Sequence, residues 1–363
     1  MRFTDDNIPR LITILDNLYK RTTLTFDEAQ TTFETSSGVR QGGPENPFLF
    51  NLFIDFVMRV FVNKSNHINF YKHRYKINPR SMTREERLSM RTQNQLNEDS
   101  TFLPWCGYAD DLILFIQSKT DLQEAINILD SLFNRFGLKI NGLKTETMII
   151  NNEDPLYPES IISLRDTPIK NVKSFKYLGT FIKHDQPNTG DAELSFRIQT
   201  AVSKFVEMSA LLQNVKINLK TRILFFNSFI RSRLTYACQT WSLTTCQYER
   251  IDATYRNLLR RMVRGGFNRA SENDYRFKMN NNRLHSLCGT DDVSIFVKKQ
   301  QRNYTEHVIR MSRNRTPKLL MFNFDKYKKR GRPSKSLLVQ VLDNELLSLD
   351  QLCNYAKKKK KLS

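Results

Sequence analysis

The chain has 363 residues, 39% hydrophobic and 26% charged, which is enough length for two domains and enough apolar content to bury a core. Its 57 Lys and Arg against 37 Asp and Glu leave a net charge of +20, so a polyanionic partner is expected, either nucleic acid or an anionic membrane. No apolar run reaches the length of a membrane span and no N-terminal signal segment is visible, which favours nucleic acid over membrane.

In chain order, Ile8, Leu11, Ile12, Leu15 and Leu18 recur at helical spacing and predict a helix over Ile8 to Tyr19. Leu24 to Phe26 and Thr31 to Thr35 alternate like short strands. A Gly-rich loop, Ser36 to Pro44, leads into an apolar helix from about Pro47 to Phe61. Asn63 to Ser100 is polar and basic, with a short helix expected around Arg84 to Asn94. The runs Trp105 to Tyr108 and Leu112 to Ile116 flank Tyr108-Ala109-Asp110-Asp111 and predict a tight hairpin with both acids at its tip. Ala125, Ile128, Leu129, Leu132 and Phe136 mark one face of a helix over Leu122 to Phe136, and Gly137 suits its C′ position. Thr147 to Ile150 and Val172 to Ile182 read as strands, and from Glu193 the pattern is helical almost to Arg264. Strands and helices thus mix in the first half and helices dominate the second, which is an α+β part followed by an all-α part.

Two adjacent carboxylates on a hairpin bind hard cations such as Mg²⁺ (or Mn²⁺), and a pair of such ions serves phosphoryl transfer by activating one oxygen and stabilising another. The Gly38–Gly43 loop either brings backbone close to a ligand or is an ordinary helix-start turn. Five widely spaced cysteines argue against a disulfide framework and for a reducing, intracellular location. Cys238, Cys246 and Cys288 with His285 match no zinc spacing, and buried structural cysteines are the better reading. Lys298 to Lys335 carries thirteen Lys and Arg against Glu306 and Asp325, a local balance of +11 suited to phosphate binding. Within it, Lys328-Lys329-Arg330-Gly331-Arg332-Pro333 resembles an AT-hook core, whose arginines enter a narrow A·T minor groove. Lys357 to Lys361 reads as a nuclear localisation signal or a lysine tail.

Four motifs stand in a telling order. They are Gly38-Val39-Arg40-Gln41-Gly42 with Phe48-Leu49-Phe50-Asn51-Leu52; Tyr108-Ala109-Asp110-Asp111; Gly137-Leu138-Lys139-Ile140-Asn141 with Lys144-Thr145-Glu146; and Phe175-Lys176-Tyr177-Leu178-Gly179. Together they resemble the reverse transcriptase of non-LTR, LINE-type retrotransposons, over roughly Ile8 to Arg264. The resemblance implies an RNA-directed DNA polymerase that uses dNTP, an RNA template and a DNA primer or target. It implies catalytic metal ligation by Asp110 and Asp111, with Asp110 the essential one. Arg40, Gln41, Gly42, Tyr108, Ala109 and Lys144 would form the nucleotide site, Ala109 leaving room for the sugar and Lys144 facing the leaving pyrophosphate; the alternative for Lys144 is a solvated surface lysine. Lys176, Tyr177, Leu178 and Gly179 would grip the primer end, and Arg330 and Arg332 would add contacts to nucleic acid. Arg197, Lys204, Lys216, Lys220, Arg222, Arg231 and Arg233 could line a duplex groove.

One departure matters. The family's metal-bridging aspartate comes from a strand upstream of the helix matching Ile8 to Tyr19, and Asp5 and Asp6 have no strand before them. The expectation is an N-terminally truncated domain, active in its parent protein and incomplete here. The alternative is a catalytically inactive nucleic-acid-binding protein derived from such an element. The expected fold is a partial right-hand polymerase palm, an antiparallel sheet with helices, followed by an all-α thumb and a basic helical C-terminal region. The expected segments are 1–62, partial fingers and palm with the Gly-rich loop; 63–104, a polar insertion; 105–185, palm with the Asp-Asp hairpin and primer-grip-like segment; 186–270, thumb; and 271–363, the basic region with its lysine tail.

Overall fold

The computed structural model describes residues 13, 16–17, 22–26, 31–35, 38, 42–76, 98–150, 162–184, 190–264, 279–312, 315–322 and 336–360. The expected helix around Arg84 to Asn94 and the Arg330–Arg332 run lie outside these residues, and of the expected helix over Ile8 to Tyr19 only Thr13, Asp16 and Asn17 are described, all helical.

Strands β1 (Thr22–Phe26) and β2 (Thr31–Thr35) pair antiparallel, with Leu24 opposite Phe33. Helix α1 (Asn46–Lys64) follows, with Pro47 in its first turn, where a missing N–H costs nothing. Strands β3 (Lys72–Lys76) and β4 (Glu98–Phe102) pair antiparallel inside the stretch that sequence marked only as polar. The predicted hairpin is β5 (Trp105–Tyr108) with β6 (Asp111–Leu114). Helix α2 (Lys119–Arg135) is capped by Ser118, whose side chain accepts from Asp121 N at 3.1 Å. It ends as predicted at Gly137, where Leu138 N reaches Phe133 O and Gly137 N reaches Asn134 O, a Schellman closure.

A small sheet has the order β7 (Glu146–Thr147), then the strand Thr167–Asn171, then β8 (Ile162–Leu164); Thr167–Asn171 is β9, parallel to β7 and antiparallel to β8. The strand expected over Thr147 to Ile150 is thus only Glu146–Thr147, because Asn171 ends the partner strand opposite Thr147. The strand expected over Val172 to Ile182 is two, β10 (Ser174–Tyr177) and β11 (Thr180–Lys183), folded back at Leu178-Gly179.

Helices then dominate: α3 (Gly190–Glu207), α4 (Ser209–Leu212) and α5 (Leu219–Phe225), which continues through a π-helical segment (Phe226–Arg231) into Ser232–Leu234. They are followed by α6 (Thr245–Arg264), α7 (Asn281–Cys288), α8 (Val293–Arg310), α9 (Thr316–Phe322), α10 (Leu337–Glu345) and α11 (Leu349–Lys360). The helical pattern read up to Arg264 is interrupted between Leu234 and Thr245. Ala237 sits at φ +58°, Cys238–Thr240 form a 3₁₀ turn, and Trp241 to Thr244 run without helix. The buried carbonyls of Trp241 and Leu243 are satisfied by the amides of Gln301 and Gln340, as buried backbone requires. Helix α6 restarts with a capping box, Thr244 and Gln247 bonding each other's backbone N–H, a signal legible in Thr-x-x-Gln.

Two compact units result. The first comprises residues 1–69 and 104–140, the second 70–103 and 141–363. In the first, α1 buries Ile54, Val57, Met58 and Phe61, α2 buries Ala125, Ile126, Leu129, Leu132 and Phe133, and the two helices pack together. Phe136 meets Phe53 and Phe56 edge-on at 6.2 and 5.9 Å. Each such side chain removed from water contributes about 1.5–3 kcal/mol. In the second unit one core joins α3, α5, α6, α7 and the start of α8 around Phe205, Phe226, Ile230, Tyr255 and Leu259. Another joins the end of α8 to α9, α10 and α11 around Val308, Phe322, Val341 and Leu352. Among the described residues no helix is long and apolar enough to cross a membrane.

Candidate active site and nucleic-acid contacts

The first unit builds its candidate site on the β5–β6 hairpin. Tyr108 pairs with Asp111, so only Ala109 and Asp110 form the turn. Asp110 therefore sits at the tip as expected, while Asp111 is one step down, the first residue of β6. Ala109 has φ +52°, a region that costs a residue with a Cβ about 1–2 kcal/mol. Strain of this kind gathers at functional turns. Gly107 to Asp111 are all exposed, while Leu112 to Ile116 are partly covered, so the hairpin is anchored on one side and open at its tip. Gly107 stands opposite Leu112, and an added Cβ would lie 2.7 Å from a Leu112 methyl and 3.0 Å from the Trp105 ring, so a side chain there makes these two neighbours shift.

Beside the turn is a cavity of about 360 Å³ lined by Pro47, Phe50, Asn51, Ile54 and Asp55 of α1 and by Trp105, Gly107, Tyr108 and Ala109. These α1 positions fall on the i, i+3, i+4, i+7 spacing of one helix face. The structure thus brings Tyr108 and Ala109 together with the first half of α1, the helix that follows the Gly-rich loop. Of that loop, Gly38 and Gly42 are described at φ +90° and +96°, conformations that favour glycine. Arg40 and Gln41 lie outside the described residues. Sequence reading had singled out Phe50 and Asn51 only as part of a motif and had not singled out Ile54, Asp55 or Trp105 as cavity residues; the helical period from Phe50 was the signal that could have found Ile54.

Both carboxylates are exposed oxygen donors, a set suited to a hard cation such as Mg²⁺ or Mn²⁺. Among the described residues no group of three or more His, Cys, Asp or Glu side chains is gathered at one place. Cys106, the neighbouring thiol on β5, is pushed above its ordinary pKa by burial and is not a ready soft ligand. Burial also pushes Cys238 up to about 12 and Cys288 up to about 11, the behaviour of inert core thiols, whereas Cys246 is exposed.

The other predicted contacts lie in the second unit. Lys144 is exposed on a turn pinned by Asn141, which accepts from Lys144 N through both its backbone and side-chain oxygens. Lys176, Tyr177, Leu178 and Gly179 form the β10–β11 turn. Lys176 Nζ lies 5.2 Å from the Phe196 ring centre and 5.9 Å from that of Phe181, within cation–π range. A cavity of about 420 Å³ opens beside it, walled by Lys176, Gly179, Phe196, Arg197, Ser232 and Tyr236, among others. Sequence reading missed Tyr236, whose hydroxyl donates to Leu178 O at 2.8 Å, 58 residues away.

Several basic residues read as groove or phosphate contacts are turned inward instead. Arg222 is 6% exposed and donates to the carbonyls of Leu212, Ile217 and Met262, closing the ends of α4 and α6, and burial lowers its pKa. Arg197 is 7% exposed. Arg231 stacks on Phe296, and Lys204 pairs with Glu207. On α8, Arg302 pairs with Glu306 and Glu345, and Lys318 donates to Ile309 O and Met311 O at the helix end. The +11 stretch is therefore partly a packed helix whose charges serve the fold; Lys216, Lys220 and Arg233 remain exposed.

Residues 3–182 match the model of the family described as reverse transcriptase (RNA-dependent DNA polymerase). An uncharacterized transposon-derived protein of Caenorhabditis elegans is 24% identical over 213 residues, which cover 59% of this chain and 74% of that protein. Both matches point the same way as the hairpin and its cavity: the chain is similar, over residues 3–182, to the reverse transcriptases.

Proposed function

We propose that this chain derives from a LINE-type retrotransposon and is the part of its reverse transcriptase that holds the incoming nucleotide and the primer–template. The observation that carries the reading is the Asp-Asp hairpin beside α1 within the matched family stretch. In the parent reaction a primer 3′-hydroxyl attacks the α-phosphorus of a dNTP and pyrophosphate leaves. Asp110 and Asp111 would hold Mg²⁺ or Mn²⁺, which when bound lowers the cost of charge on the reacting oxygens. Tyr108 and Ala109 would floor the nucleotide site, the small Ala109 leaving space on the cavity side. In the second unit the β10–β11 turn, which belongs to the palm in this reading, would meet a strand of the primer–template, and the helices over 186–270 would form the thumb. The net charge of +20 supports association with nucleic acid.

A second reading is a nucleic-acid-binding protein that no longer polymerises. It is favoured by one observation: two carboxylates, and no third acid, are gathered at the hairpin among the described residues. Primer extension on an RNA template with Mg²⁺ separates the two, run beside a binding measurement on the same duplex. We expect salt-sensitive binding with extension near background, any residual extension vanishing in Asp110→Asn. Strong extension that survives Asp110→Asn would remove the hairpin from the chemistry. Absence of binding at low salt would remove both readings.

A further inference from the structure

The turn Leu178-Gly179 joins Tyr177 to Thr180 across two residues that both lie at positive φ, +47° and +80°. This is the type I′ arrangement, for which Asn-Gly is the favoured pair. Glycine suits its place twice over, since a Cβ on Gly179 would also stand 3.3 Å from the Tyr236 ring. Leucine does not suit its place: a bulky residue at positive φ is an outlier that the surroundings must hold.

The surroundings do hold it. Tyr236 Oη donates to Leu178 O at 2.8 Å. The Arg197 guanidinium donates to Gly179 O and, through Nε, to Glu193. The second carboxylate oxygen of Glu193 accepts from Phe181 N at 2.9 Å. Arg197 also lies over the Tyr236 ring, its guanidinium carbon 4.5 Å from the ring centre. Three backbone groups at one hairpin end are thus taken by α3 and by the residue just beyond the π-interrupted helix. Glu193 is 5% exposed and Arg197 7%, so this is a buried ion pair, which contributes little net stability and serves better to fix a geometry.

We propose that Glu193, Arg197 and Tyr236 are positioning residues: they clamp the Leu178-Gly179 turn in its strained form, so that the turn backbone and the Lys176 ammonium meet the sugar–phosphate of a bound strand. The proposal rests on the reading of Lys176 to Gly179 as a strand contact. It follows that a residue at 178 that adopts positive φ readily makes the clamp dispensable.

The test measures anisotropy of a labelled primer–template duplex with a recessed 3′ end, together with the backbone coupling and chemical shift of residues 178 and 179 by NMR. Tyr236→Phe removes one neutral hydrogen bond and should weaken binding about fivefold. Arg197→Lys loses the forked geometry and should weaken it about tenfold. Both should shift the turn resonances. Adding Leu178→Asn to Tyr236→Phe should return the turn resonances and bring affinity to within about twofold of Leu178→Asn alone. If Tyr236→Phe moves the turn and leaves affinity unchanged, or if Leu178→Asn fails to rescue, the clamp is overturned. Lys176→Ala is the separate arm: if it leaves affinity unchanged while the other variants weaken it, the strand-contact reading of this turn fails.

Discussion

Two hairpins of this protein have strands of the same length and are held differently. β5–β6 and β10–β11 each have four-residue strands, a two-residue turn, and a residue with a Cβ held at positive φ, Ala109 in one and Leu178 in the other. The first leaves Gly107 to Asp111 exposed, with both carboxylates outward and its anchorage confined to the strands. The second has its turn carbonyls taken by Tyr236 and Arg197. On the proposed function, the turn that would offer ligands to a cation keeps its acceptors open, and the turn that would present backbone at a set angle is held from behind. Both bends take two residues, but both turn residues lie at positive φ in the second and only Ala109 does in the first, and the neighbours decide how each is held.

The comparison breaks most sharply at Gly107. Gly107→Ala places a methyl against Leu112 and Trp105 and should destabilise the first unit by about 1–3 kcal/mol, read as a lower melting temperature and faster exchange of the β5–β6 amides. The β10–β11 amides should be unaffected; an equal loss of protection there would mean that the two hairpins do not open independently.

A smaller effect is expected at the strained positions. Leu178→Gly and Ala109→Gly each relieve about 1–2 kcal/mol of strain and each add about 0.5–1 kcal/mol of chain entropy to the unfolded state. Net stabilisation of up to about 1.5 kcal/mol follows, measured by urea midpoint. The two gains should be alike, because the clamp offsets the strain at Leu178 without removing it. A gain at 109 with none at 178 would mean that Leu178 is not strained.

The thiols report on the two regions separately. At neutral pH a thiol-alkylating reagent should label exposed Cys246 first, then Cys106 on β5 as its hairpin opens, and Cys238, two residues after Tyr236, only on global unfolding. Burial raises the Cys238 and Cys288 pKa values to about 12 and 11 from an ordinary 9.0. The unfolded chain therefore ionises these thiols first. Their contribution is intact below pH 9 and is lost as pH rises from there toward the folded values, at a slope on the order of 1.4 kcal/mol per pH unit per thiol. Stability that holds flat between pH 9 and 11 would contradict their burial.

Much of this was legible in the sequence, for reasons tied to particular residues. Short apolar runs on both sides of Tyr108-Ala109-Asp110-Asp111 pointed to the hairpin, because a two-residue turn between short strands is a local device. The periodic face Ala125-Leu129-Leu132 with Gly137 determined α2 and its end, because capping is settled within a few residues. What only the tertiary structure decided is which polar groups are free. Arg197, Arg222, Arg302 and Lys318 carry the same charge as Lys216 or Arg233, yet they bond carbonyls or acids brought near by packing, some of them tens of residues away in the chain. The break between Leu234 and Thr245 likewise depends on Gln301 and Gln340, which reach the buried carbonyls of Trp241 and Leu243 from elements far along the chain. Periodicity and turn chemistry act over the few residues that sequence displays side by side; hydrogen-bond partners are chosen across the fold, after burial has made an unpaired group costly.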